Sequence, residues 1–153
     1  MNNERLRERY KLCYDGWFYA VQRIDLLVIS ICGAGVYVVL ETLKYVVDKT
    51  PVVQKYLDNL WMIKLSGLLF LASIIVNFVS QLTGKKSNYH EMLWCDEKLE
   101  CDDPPTVEQK KLMTKYDTDA GRYSKITGRL NTVSTLIMCG GLFALLAFFL
   151  ITF

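Results

Sequence analysis

Long apolar stretches alternate along the chain with charged ones. The last stretch, 130–153, contains no Asp, Glu, Lys, Arg or His. A helix of that length spans about 36 Å, more than the roughly 30 Å hydrocarbon core of a bilayer. Similar apolar stretches occupy 24–47 and 61–83. The pattern therefore predicts three transmembrane helices.

Two of the three polar segments outside these spans also have helical patterns. Segment 1–23 repeats apolar residues every three or four positions, which predicts an amphipathic helix that continues into the first span. Segment 48–60 contains Pro51 and is predicted to be a connecting loop. Segment 84–129 is predicted to be a helical hairpin, interrupted at Pro104 and Pro105 and followed by a Thr106/Gln109 capping box. Its helices are expected to extend the spans, which gives an oligomeric all-α membrane protein with a helical stalk.

The distribution of basic residues predicts the orientation. Segment 1–23 carries five Lys or Arg and segment 84–129 carries nine, against four in and beside the loop 48–60. Because Lys and Arg accumulate on the cytoplasmic side, the N-terminus and the 84–129 stalk are predicted to be cytoplasmic. The third span then places the C-terminus outside.

No catalytic pattern is recognisable in the sequence. Nothing pairs a nucleophile with a base, and His90 is the sole histidine. His90, Cys95 and Cys101 do not match a standard zinc spacing, so His90 is interpreted as a surface residue. The acidic run after Cys95 lacks the calcium-loop pattern and is interpreted as a solvated helix end. We expect no enzymatic activity, no cofactor and no metal.

Charges near the ends of two spans allow two interpretations. Glu41 and Lys64 fall at a similar depth if the first two spans are antiparallel, so they could pair. Alternatively Glu41, Lys44 and Lys64 each reach the membrane surface independently.

Polar residues also mark one face of the last span. They either line a pore in a ring of copies or pack helices together. The pore-lining candidates on this face and at the corresponding end of the second span are Asn131, Ser134, Thr135, Met138, Asn77 and Gln81.

A second polar set forms a predicted basic collar next to the spans. It either contacts anionic lipid headgroups or binds an anionic ligand such as a nucleotide or oligonucleotide. Its members are Lys85, Lys86, Arg122, Lys125 and Arg129.

Several short segments resemble the SLATT family of membrane effectors in bacterial anti-phage systems. The likeness rests on Arg9-Tyr10, on Trp17-Phe18-Tyr19-Ala20-x-x-Arg23, on the membrane hairpin and on Tyr89-His90-Glu91-x-Leu93, and it covers roughly residues 5–100. The third span and long stalk depart from the two-span plan and are similar to the membrane effector of Hailong-type defence.

This resemblance implies a function. It implies a homo-oligomeric pore, a tetramer or larger ring, in the bacterial inner membrane that causes abortive infection. It also implies gating by a nucleotide or DNA-oligomer signal from a nucleotidyltransferase partner. Two alternatives stay open: a non-conducting adaptor that recruits a cytoplasmic partner, and a phage holin.

Overall fold

The computed structural model describes residues 2–48, 59–99 and 105–152. The predicted loop around Pro51 and the hairpin tip up to Pro104, including Cys101, lie outside the described residues. So do the side chains of the predicted amphipathic face, among them Trp17. The described chain forms α1 (Asn2–Asp48), α2 (Leu60–Leu99) and α3 (Val107–Thr152).

The predicted all-α class is confirmed. Each helix includes a segment long and apolar enough to cross a membrane, and in α1 it covers Gln22–Val46. The helices run unbroken from the predicted polar segments into the predicted spans, because no proline interrupts them. The chain therefore has the helices of a multi-pass membrane protein.

The start of α3 has the predicted capping box. The Gln109 amide N–H donates to the Thr106 hydroxyl oxygen (3.3 Å), and the Thr106 amide N–H donates to Gln109 Oε1 (2.9 Å). These bonds use amide donors that have no partner inside the helix. They explain why α3 begins directly after the two prolines.

The described helices divide into two compact units, each considered separately. The first combines Met1–Leu71 with Met138–Phe153. At its centre, the Phe70 ring is fully buried between Gly35 of α1 and Gly141 of α3. A Cβ atom at Gly35 or Gly141 would lie 2.5 or 2.9 Å from the ring. The two glycines therefore make the space that Phe70 fills.

The second unit, Ala72–Ile137, has a small and polar interior. Its fully or almost fully buried side chains are Ser73, Asn77, Ser80 and Ser134. Small side chains let two helices approach closely, and their polar atoms then need partners in the neighbouring helix. The contacts of these residues define the candidate site.

Candidate functional site

Four serines of α2 recur every seven residues and bind carbonyl oxygens of α3. We call these contacts the serine ladder. The partners also recur every seven residues, in reverse order, because α2 and α3 are antiparallel at each pair. Three pairs belong to the second unit and the Ser66 pair to the first. The pairs are Ser66 with Gly141 (2.8 Å), Ser73 with Ser134 (2.8 Å), Ser80 with Thr127 (3.1 Å) and Ser87 with Ala120 (2.9 Å).

The Ser73–Ser134 pair is reciprocal. Each hydroxyl donates to the carbonyl oxygen of the other residue, at 2.8 and 2.9 Å, and the hydroxyl oxygens are 3.0 Å apart. Both side chains are fully buried. Reciprocal bonding satisfies both hydroxyl donors without water, as a helix pair in an apolar environment requires.

Seven residues further along α2, at Ser80, further polar side chains join the ladder contact and form a polar network. The Ser80 hydroxyl donates to the Thr127 carbonyl oxygen and also contacts Asn131 Oδ1. The Thr83 and Thr127 hydroxyls lie 2.9 Å apart. This network joins the polar end of the last predicted span to α2.

The pore-lining candidates mostly pack inside the chain. Ser134 and Asn77 are buried, and so is Met138 in the first unit, while Asn131 and Thr135 are half-buried. Their contacts favour the packing interpretation for Ser134 and Asn131, which bind α2 directly. Gln81 is exposed, and its Nε2 donates to Asn77 Oδ1 (3.0 Å).

The basic candidates are all exposed. Lys85 and Lys86 lie on α2, and Lys86 Nζ is 5.7 Å from the Tyr123 ring centroid. Lys125 and Arg129 border a shallow depression beside Gly128. Three lysines nearer the start of α3 border a second depression, and the collar prediction missed them although their helical spacing extends it. We call the combined set the α3 basic face: Lys110, Lys111, Lys115, Arg122, Lys125 and Arg129.

The structure corrects the interpretation of His90 as a surface residue. His90 is half-buried, and its ring stacks on Tyr123 with centroids 5.5 Å apart and planes inclined by 6°. The Tyr116 ring centroid lies 6.4 Å from the His90 ring centroid, with the ring planes inclined by 34°. His90 Nδ1 is buried without a hydrogen-bond partner in the described chain. The sequence signal for this contact was the seven-residue spacing of Tyr116 and Tyr123, which places both rings on one face of α3.

The predicted Glu41–Lys64 pair is not formed in the described part of the chain. Both side chains are exposed, and neither takes part in an ion pair or hydrogen bond there. The reason is their position on the helices: Lys64 lies opposite the buried side of α2, which carries Ser66 and Phe70. Glu41 likewise lies away from the buried side of α1.

Among the described residues, no three His, Cys, Asp or Glu side chains come together as a metal site. Cys101 and the end of the acidic run lie outside that part of the chain. No protein-family model, curated protein or solved structure matches the chain. The assignment of function therefore depends on the residues themselves.

Proposed function

We propose that the chain is the pore-forming subunit of a homo-oligomeric effector in a bacterial inner membrane, gated by an anionic signal. The observation that carries the proposal is the continuity of α3. One unbroken helix joins the exposed basic face to the half-buried Asn131 and the buried Ser134. Arg129 is two residues from Asn131, so a ligand that displaces the basic face would also displace the polar network next to it.

The α3 basic face fits a ligand with several phosphates. Lys110 and Arg129 are separated by about 29 Å of helix at roughly 1.5 Å per residue. Guanidinium and ammonium groups spread over that length match the repeated charges of an oligonucleotide better than one phosphate group. The signal is therefore a nucleotide or short DNA oligomer made by a nucleotidyltransferase partner, as the SLATT and Hailong-type resemblance implies.

Gating consists of exchanging the serine-ladder bonds of the second unit for bonds to water. Interhelical hydrogen bonds contribute about 0.6 kcal/mol each on average in a membrane and a similar amount, on the order of 0.5–1.5 kcal/mol, outside it, so three pairs oppose opening by roughly 2 kcal/mol. A ligand shifts such an equilibrium by its difference in affinity for the two states. About a thirtyfold difference suffices, since 1.4 kcal/mol corresponds to tenfold. The released Ser134 and Asn131 then line the water path, and the collapse of the membrane gradient arrests the infected cell.

A reversible crosslink tests this gate. In a Ser73→Cys/Ser134→Cys variant the two sulfur atoms replace hydroxyl oxygens that are 3.0 Å apart. Ion flux is measured in liposomes with and without short single-stranded DNA oligonucleotides. Oxidation with copper–phenanthroline is expected to lower flux at least about tenfold, and dithiothreitol restores it. The Ser73→Cys single variant is the control and keeps its flux under oxidation.

A non-conducting adaptor is the second candidate, and one observation favours it. Ser134 is fully buried against α2, so the polar strip is already used for packing. The adaptor predicts no flux in the reduced double variant or the unmodified protein, with or without oligonucleotide. That result rejects the pore.

A separate measurement tests the ligand. Replacing Arg122, Lys125 and Arg129 together by Gln is expected to weaken oligonucleotide binding by at least about tenfold at moderate salt. Lys98→Gln, which removes an exposed cation on α2, is the matched control. Equal binding by both variants would place the ligand elsewhere.

A further inference from the structure

The exposed side of α1 carries a polar stripe within its candidate span. The stripe recurs at spacings of three, four, four and three residues, so its members share one helix face. The opposite face is buried and includes Val28, Cys32 and Val39. We call the exposed set the α1 stripe: Ser30, Gly33, Tyr37, Glu41 and Lys44.

The exposed side of α2 in the same unit carries large aliphatic side chains. Leu68 and Leu71 are 65% and 49% exposed there, and a lipid-facing helix is expected to present such aliphatic side chains. The exposed side of α1 also carries aliphatic side chains, among them Leu26 (66% exposed) and Leu40 (59% exposed), and the α1 stripe is the set of small, polar and charged positions among them. Its Tyr37 is 64% exposed, and a Cβ atom at Gly33 would meet nothing within 4 Å. The α1 stripe is therefore set apart by its small and polar positions and by the charges of Glu41 and Lys44.

The charges of the α1 stripe matter because of where they lie along α1. Glu41 and Lys44 lie inside the first predicted span, 24–47. Neither side chain has an ion pair or hydrogen bond in the described chain. Glu41 lies six residues before the end of that predicted span, about 9 Å at roughly 1.5 Å per residue, and its short side chain covers little of that distance. Ionised groups at membrane depth face protein or water and usually pair with an opposite charge.

We propose that the α1 stripe is the surface through which copies of this chain meet, with Glu41 of one copy paired to Lys44 of the next. In two copies related by a twofold axis along the membrane normal, the α1 helices are parallel, lie at the same depth and present the same stripe to each other. The two charges then differ in depth by about 4.5 Å, the rise of three residues. Gly33 allows the helices to approach closely. This surface deepens the oligomeric part of the proposed function and does not depend on conduction.

Complementation between two chains tests the pair. Glu41→Lys and Lys44→Glu each leave two like charges on one chain, so neither variant can pair with itself. When the two variants carry different affinity tags and are co-expressed, each supplies the charge that the other lacks. Co-purification of two tagged copies is expected to fall at least about tenfold for each variant alone and to recover for the mixture. Lys64→Glu, an exposed charge reversal on α2, is the control and retains co-purification.

Three results overturn the inference: full self-association of Glu41→Lys alone, no recovery in the mixture, or loss of association in Lys64→Glu. A second measurement uses a background in which the five native cysteines are replaced by serine. Oxidation is expected to link Tyr37→Cys chains into dimers and to leave Leu68→Cys chains monomeric. The reverse pattern places the contact on α2 and rejects the α1 stripe. Liposome flux is scored separately, so association without flux rejects the pore alone.

Discussion

Ser73 and Ser134 exchange hydrogen bonds, each hydroxyl donating to the carbonyl oxygen of the other. The exchange requires both residues to lie at the same level on antiparallel helices. The serine ladder repeats every seven residues on both helices, so a shift of one helical turn would put bulky side chains opposite Ser73. The reciprocal pair therefore determines the register of α2 against α3 in the second unit.

Enlarging a ladder residue is expected to destabilise this helix pair. Ser73→Leu adds volume to a fully buried position and removes hydrogen bonds to Ser134. The expected cost is about 1–3 kcal/mol in the free energy of unfolding, measured by denaturant titration in detergent micelles. Ser124→Leu adds the same volume at an exposed position of α3 and is expected to change stability by less than about 0.5 kcal/mol. Equal effects would mean that the ladder does not pack as described.

The Phe70 packing predicts that two glycines respond oppositely to alanine. A Cβ atom at Gly35 would meet the Phe70 ring, which Gly141 confines on its other side. Gly35→Ala is therefore expected to lower the free energy of unfolding by about 1–3 kcal/mol. Gly121→Ala meets nothing within 4 Å and is expected to stabilise the helix by up to about 1 kcal/mol. A stabilised Gly35→Ala variant would contradict the described position of Phe70.

The His90–Tyr123 stack is tested by a double-mutant cycle. Removing either ring by alanine substitution loses the stacking energy, and the coupling between the two changes is expected to be about 0.5–1.5 kcal/mol. Tyr123→Phe keeps the ring and is expected to keep the coupling. Thermal unfolding in detergent gives the four free energies. Additive effects of the two alanine substitutions would show that the rings do not interact.

The capping box at the start of α3 predicts a local effect. Thr106→Ala removes the acceptor of the Gln109 amide hydrogen bond and is expected to cost about 0.5–2 kcal/mol. Hydrogen exchange is expected to accelerate in the first turn of α3 and to stay unchanged near Ser134. Thr118→Ala, which alters an exposed threonine within α3, is the control. Unchanged exchange in the first turn of Thr106→Ala would show that the cap does not hold this end.

Some of the candidate site could be inferred without coordinates. Asn131 and Ser134 stand out because polar residues are rare in an apolar helix, and Arg122, Lys125 and Arg129 because they share one helical face. The heptad recurrence of Ser66, Ser73, Ser80 and Ser87 is visible in the sequence. Its meaning depends on the reverse recurrence in α3, which only the pairing of the two helices reveals.

The sequence by itself determined three long helices, the apolar span in each of them and the capping box at the start of α3. These features follow from local properties: uninterrupted apolar length, proline position and the hydrogen-bonding geometry of Thr106 and Gln109. Only the tertiary structure decided which side of each helix is buried. That choice put Ser134 into a contact with α2, left Glu41 and Lys64 apart and exposed the α1 stripe. The physical reason is that helix facing depends on how side chains from distant segments fill space together, as Phe70 does between Gly35 and Gly141.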